Sequence, residues 1–141
     1  MQRIVVAAKA GSDKPWLAEA TAQLALQAAG AAVDVVSADG LEMEAFSTVP
    51  RSELSELPRQ AAETLAGRLR ALGVEARAHA LQGAVVRSVL LFAEEYDADL
   101  IVCGGSTRGP VAQRLLGTVP LELIRRSRRP VLVITPPGGR S

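Results

Sequence analysis

The chain has one cysteine, one histidine and only 3% aromatic residues: one Trp, one Tyr and two Phe. A single cysteine, Cys103, excludes an intramolecular disulfide and any CxxC metal site. So few rings leave a core to be built from Val, Leu, Ile and Ala. Neither sign of charge dominates, since 16 Lys and Arg stand against 15 Asp and Glu. No overall field therefore advertises nucleic acid or an anionic membrane. No apolar run approaches the roughly 20 residues that span a bilayer. The opening MQRIVVAAKAGSDK has neither the apolar h-region nor the cleavage site of a signal peptide. These absences lead to the expectation of a cytoplasmic protein with no membrane or nucleic-acid partner. There is also no nucleophile–base pair, no metal-ligating cluster and no Walker P-loop, so neither catalytic nor metal residues are expected.

What is present is regular alternation. Ile4–Ala8 is a short apolar run suited to a strand buried on both faces. Ser12 is the expected N-cap of a helix with Asp13 at its positive end and Pro15 in its first turn. Leu17, Ala20, Leu24 and Ala28 recur at helical spacing until Gly30. Val33–Val36 is the second strand, followed by an irregular loop with Ser47, Thr48 and Pro50. A helix over Pro58–Leu72 presents Ala62, Leu65, Leu69 and Leu72, and Gly73 stops it. Val74–Leu81 alternates strictly, which predicts an edge strand with one wet face and a solvent-facing His79. Val85, Val89, Phe92 and Ala93 stripe a third helix. Leu100–Gly104 is the fourth strand, Val111–Arg126 a helix interrupted by Gly117 and Pro120, and Val131–Ile134 the last strand. Five strands alternating with four helices imply an α/β domain over residues 1–141. Its sheet is parallel with helices on both faces, and residues 136–141 form a frayed tail.

Ala98–Ile134 reads strand, glycine loop, helix, strand, the layout that gathers backbone amides around an anion at a helix N-terminus. Gly104 and Gly105 fit a tight turn leaving a buried strand as well as contact with a nucleotide. Gly117 and Thr118 fit close helix packing as well as a phosphate. Cys103, at the end of an apolar strand, reads as a core thiol. Arg125, Arg126, Arg128 and Arg129 close a helix, where cations suit the negative end, and no aromatic side chains interleave with them. They read as a solvated cap.

The segment GAVVRSVLLFAEEYDADLIVCGG, the closing RRPVLVI and a near match to G-x2-G-x9-G-[ST] together resemble the universal stress protein family over nearly the whole chain. The resemblance implies a Rossmann-like fold akin to the adenine-nucleotide hydrolases, with strand order 3-2-1-4-5. Its function would be regulatory, by ligand or partner binding in a stress response. It implies that ATP or another adenine nucleotide binds over strands 1, 2 and 4. The adenosine would lie near Ala8, Lys9 and Ala38, and the phosphates would face Gly104, Thr107, Gly117 and Thr118, with Arg108 adding positive charge and Gly109 keeping the nucleotide-binding loop permissive. Gly104 matches the first glycine of the signature. Nine residues separate Thr107 from Gly117-Thr118, but Thr107 replaces the second glycine, and Lys9 stands where the family usually has Asp. A β-branched residue in the left-handed region costs on the order of 1–2 kcal/mol, and a lost hydrogen bond about 1 kcal/mol. Nucleotide binding is thus expected to be weaker than in members with the full signature. The resemblance also implies a homodimer joined along Val131, Leu132, Val133 and Ile134, an apolar edge that invites strand pairing. The alternatives are a nucleotide-hydrolysing enzyme of the same fold and a dimerisation module with an empty pocket.

Overall fold

A computed structural model describes residues 1–40, 56–105 and 117–137. The expected loop features Ser47, Thr48 and Pro50, helix positions 111–116 and tail residues 138–141 lie outside the described residues. Strands and helices alternate as β1 (Arg3–Ala7), α1 (Pro15–Gln27), β2 (Ala32–Ala38), α2 (Glu56–Ala71), β3 (Ala76–Leu81), α3 (Val85–Glu95), β4 (Leu100–Gly104), α4 (Thr118–Arg126) and β5 (Val131–Ile134). The sheet order is β3-β2-β1-β4-β5 and every pairing is parallel, in agreement with the sequence expectation.

The period of two along each strand divides the core. Ile4, Val6, Val33, Val35, Leu100 and Val102 meet Leu17 and Ala22 of α1 and Leu65 and Leu69 of α2 on one face. Val5, Val36, Ile101 and Cys103 meet Val89, Phe92 and Ala93 of α3 and Leu123 of α4 on the other. The central strands are covered on both sides, which is why they read as continuous apolar runs.

Three local expectations are corrected. Ser12 is not the N-cap of α1. Lys14 occupies that position without a side-chain cap bond, and the Ser12 hydroxyl donates to the Lys9 carbonyl at 2.9 Å. Pro15 explains the shift, because it starts a helix well and disfavours helical backbone in the residue before it. Asp13 takes the Arg68 guanidinium of α2 at 2.8 Å, and that hydrogen bond holds its carboxyl below the usual carboxylate range.

His79 is half-covered rather than freely solvent-facing. Its Nε2–H donates to Asp34 Oδ1 at 2.8 Å, and its ring lies 4.7 Å from Phe92 and 5.9 Å from Tyr96, centroid to centroid. Alternation does place His79 opposite the alanines, but α3 covers that side, and Asp34 of β2 is buried beneath it.

The arginine run is not uniformly solvated either. Arg125 pairs with Glu122, whereas Arg129 donates from Nε to the Ala98 carbonyl at 2.7 Å and from a terminal nitrogen to Asp97 at 3.2 Å. That clasp ties the entry of β5 to the entry of β4. Asp99 makes a similar one, accepting from the backbone N–H groups of Gln2 and Arg3 at 2.7 and 2.9 Å. Those two bonds keep its carboxyl below the usual range.

Candidate functional site

β1 and β4 are neighbours, yet the helices that follow them, α1 and α4, lie on opposite faces of the sheet. A crevice opens at such a switch point, outside the carboxyl ends of the strands. Here it is a cavity of about 440 Å³. Ala7 and Ala8 of the β1 end, Ala38 of β2, and Cys103 and Gly104 of β4 form its floor. Leu17, Ala61, Leu65 and Val85 supply apolar walls, and Gly117 to Pro120 bring the start of α4 to its edge. The rim is polar, with Lys9, Ser12, Asp13, Lys14 and Asp39. An apolar body with a few placed polar groups is the usual build of a small-molecule site.

Six of the residues expected from the sequence, Ala8, Lys9, Ala38, Gly104, Gly117 and Thr118, come together around this cavity. Thr107, Arg108 and Gly109 lie outside the described residues. Val131 to Ile134 lie elsewhere, in β5, whose one edge pairs with β4 and whose other edge meets no strand among the described residues. Sequence reasoning missed Lys14 and Asp39 as rim groups. Asp39 had a signal, since an acidic residue directly after a predicted strand sits at the carboxyl end of the sheet.

Packing and backbone shape account for the two key glycines. A Cβ on Gly104 would lie 3.1 Å from Cη2 of Trp16 and 3.6 Å from Leu17 Cδ2, so any side chain there has to push the indole aside by a few tenths of an ångström. Gly117 has φ +101°, and its Cβ would stand 3.3 Å from Pro120 Cδ, so it permits the sharp entry into α4. The Gly105 amide donates to the Ile134 carbonyl at 2.8 Å and closes the β4–β5 ladder. Within the first turn of α4, Pro120 has no N–H. The amides of Thr118 and Val119 are therefore the donors that this helix start directs outward.

The electrostatics are mixed. Lys9 is exposed at the rim, and Lys14 places Nζ 5.7 Å from the Trp16 ring centroid. Asp13 is committed to Arg68. Burial pushes the Cys103 thiol up to about 11, which keeps it protonated at neutral pH and removes it as a nucleophile. Among the described residues no group of three or more His, Cys, Asp or Glu is placed to hold a metal, and no helix is long and apolar enough to cross a membrane.

A doubly wound parallel sheet with an apolar, polar-rimmed crevice at its switch point defines the class of Rossmann-like α/β domains. Within that class, the family model for the universal stress protein family matches residues 1–135, and the chain belongs to that family. A universal stress protein of Mycobacterium tuberculosis is 34% identical over 101 residues, which cover 72% of this chain and 67% of that protein. A universal stress protein from Archaeoglobus fulgidus has a solved structure with a TM-score of 0.77 and 25% identity, covering 95% of this chain and 98% of that one. Another, crystallised in complex with cAMP, has a TM-score of 0.71 and 27% identity, covering 94% and 96%.

Proposed function

We propose that this protein acts by binding an adenine nucleotide in the switch-point cavity, in a regulatory, stress-response role rather than as a catalyst. The convergence of Ala8, Lys9, Ala38, Gly104, Gly117 and Thr118 on one cavity carries the reading. Adenosine would occupy the apolar floor near Ala8, Lys9 and Ala38, and phosphate the start of α4 at Thr118. The relative solved with cAMP supports the ligand class. Trp16, the only tryptophan, lies against Gly104, one of the cavity-lining residues, so its emission is the reporter to follow. Titration with cAMP, AMP and ATP should change that emission saturably, with ATP weaker than micromolar because Thr107 and Lys9 depart from the family pattern. Low-micromolar ATP binding would show that those two residues do no harm. No saturable change with any of the three, repeated by calorimetry, would remove the nucleotide reading. Steady phosphate release from ATP would instead favour a hydrolase.

The β5 edge supports a second element of the proposal, a homodimer. Leu132 is 39% exposed there, on the sheet face that carries α1 and α2, and Leu121 and Ile124 of α4, on the other face, are 46% and 49% exposed. The carbonyls of Pro130 and Ile134 face β4. Alternation then turns the Val131 and Val133 amides towards the open edge. Val133→Pro removes one outward donor while sparing the ladder to β4. It should shift sedimentation from dimer to monomer at micromolar concentration. A wild-type protein already monomeric there would exclude this interface.

A further inference from the structure

Among the described residues the cavity is lined by two cations, Lys9 and Lys14, and two anions, Asp13 and Asp39. Their charges cancel, which is a poor setting for an anionic ligand. One cation outside the lining changes that balance. Arg68 of α2 donates from Nε to Asp13 Oδ1 at 2.8 Å and from Nη2 to Oδ2. This two-pronged arrangement is the strong form of a guanidinium–carboxylate pair. The Arg68 hydrogen bond also holds the Asp13 carboxyl below the usual range, so Asp13 is ionised at neutral pH and Arg68 covers a full negative charge.

Local structure delivers both partners to the rim. Ala61, Leu65 and Arg68 recur at i, i+4 and i+7 along one stripe of α2. The first two wall the cavity, and the third reaches the Asp13 carboxylate at its rim. Asp13 follows a turn in which Gly11 has φ +79°. There the Ser12 N–H and hydroxyl both donate to the Lys9 carbonyl, at 3.1 and 2.9 Å. Glu19 of α1, outside the lining, adds a weaker attraction on Arg68. The Asp13 and Arg68 side chains are 42% and 41% exposed, so their pairing contributes little to folding stability. Its larger effect is on the potential inside the cavity that Asp13 lines.

We infer that Arg68, from outside the cavity, sets the preference of the site for anionic over neutral ligands by masking the charge of Asp13. Arg68 is a positioning residue: it acts through Asp13, whose carboxylate it turns onto itself and away from the ligand. This inference rests on the nucleotide reading of the cavity.

The test is calorimetric titration of the full chain, at low ionic strength, with adenosine, cAMP and AMP, which carry no, one and about two negative charges at neutral pH. Arg68→Gln keeps an N–H donor for Asp13 and removes the cation. Relative to adenosine, affinity should fall about threefold for cAMP and about tenfold for AMP. Asp13→Asn keeps an oxygen for Arg68 and removes the anion. It should raise the AMP-to-adenosine ratio about tenfold, and the double variant should return it to within about twofold of wild type. The AMP-to-cAMP ratio should move in the same directions, and all these shifts should shrink in about 0.5 M salt. A clasp that only braced the loop would weaken all three ligands alike in both single variants. Unchanged ratios, or ratios that move the same way in both single variants, would overturn the inference and leave the nucleotide reading standing. No binding of any of the three to wild type would defeat the nucleotide reading and this inference with it.

Discussion

His79→Ala should lower stability by about 2–3 kcal/mol, a fall in Tm of roughly 10 °C for a domain of this size. Asp34 is 3% exposed, and its close partner is the His79 ring at 2.8 Å. The Arg77 guanidinium stands farther away at 3.7 Å and its side chain is 67% exposed, so it compensates little. Removing the ring leaves a buried carboxylate poorly matched and also deletes the contact with Phe92. The discriminating partner experiment replaces both members. Asp34→Leu with His79→Phe removes the polar pair together and retains an aromatic ring opposite Phe92. Such exchanges of a buried polar pair for apolar groups are often neutral or stabilising. The double variant should therefore recover most of the loss in urea denaturation. If His79→Ala proves neutral, the pair contributes nothing to stability. If the double variant is worse than the single, the polar pair is favourable beyond its packing.

Gly104→Val should cost about 2–3 kcal/mol and abolish ligand binding together. The first added carbon would already lie 3.1 Å from the Trp16 ring, closer than side-chain carbons normally come, and the two γ-carbons extend further. Trp16 is partly buried against the core formed with Leu17 and Val102, so the indole has to be displaced towards solvent. Its emission should shift to the red in the unliganded protein, and the response to cAMP should vanish. Gly104→Ala should show a smaller version of the same change. A Gly104→Val protein with unshifted emission and intact cAMP response would mean that the Trp16 contact does not shape the cavity floor.

The alternation of β and α was legible because strands buried on both faces read as short apolar runs, as in Ile4–Ala8 and Leu100–Cys103. Four of the cavity-lining positions were legible for a related reason. In a parallel sheet the crevice always lies beyond the carboxyl ends of the strands, so Ala8, Lys9, Ala38 and Gly104 are located once the strands are. Composition and periodicity alone did not order the strands. The resemblance carried by the Gly83–Gly105 segment and by Gly117-Thr118 supplied the order, and the fold agrees with it.

Other features were decided by contacts between segments distant in sequence. Nothing local to His79 announces Asp34, 45 residues earlier. The two meet because β2 and β3 pair with Val36 opposite His79 and because α3 closes over that side. Asp13 reads as a helix-dipole residue until α2 brings Arg68 to it. Arg129 reads as solvated until the chain turns back on the Ala98 carbonyl. Gly104 reads equally as a turn or a ligand contact until Trp16 is seen against it. The sequence by itself therefore determined the class of fold, the end of the sheet where the cavity opens and the family. Those follow from periodicity, turn residues and a local signature, all of which act over a few residues. Only the tertiary structure decided which charges are paired, which glycine is held open by an indole and which carboxylate is pinned at the cavity rim. Each of these depends on where two remote segments meet, and that is set by the packing of the whole core.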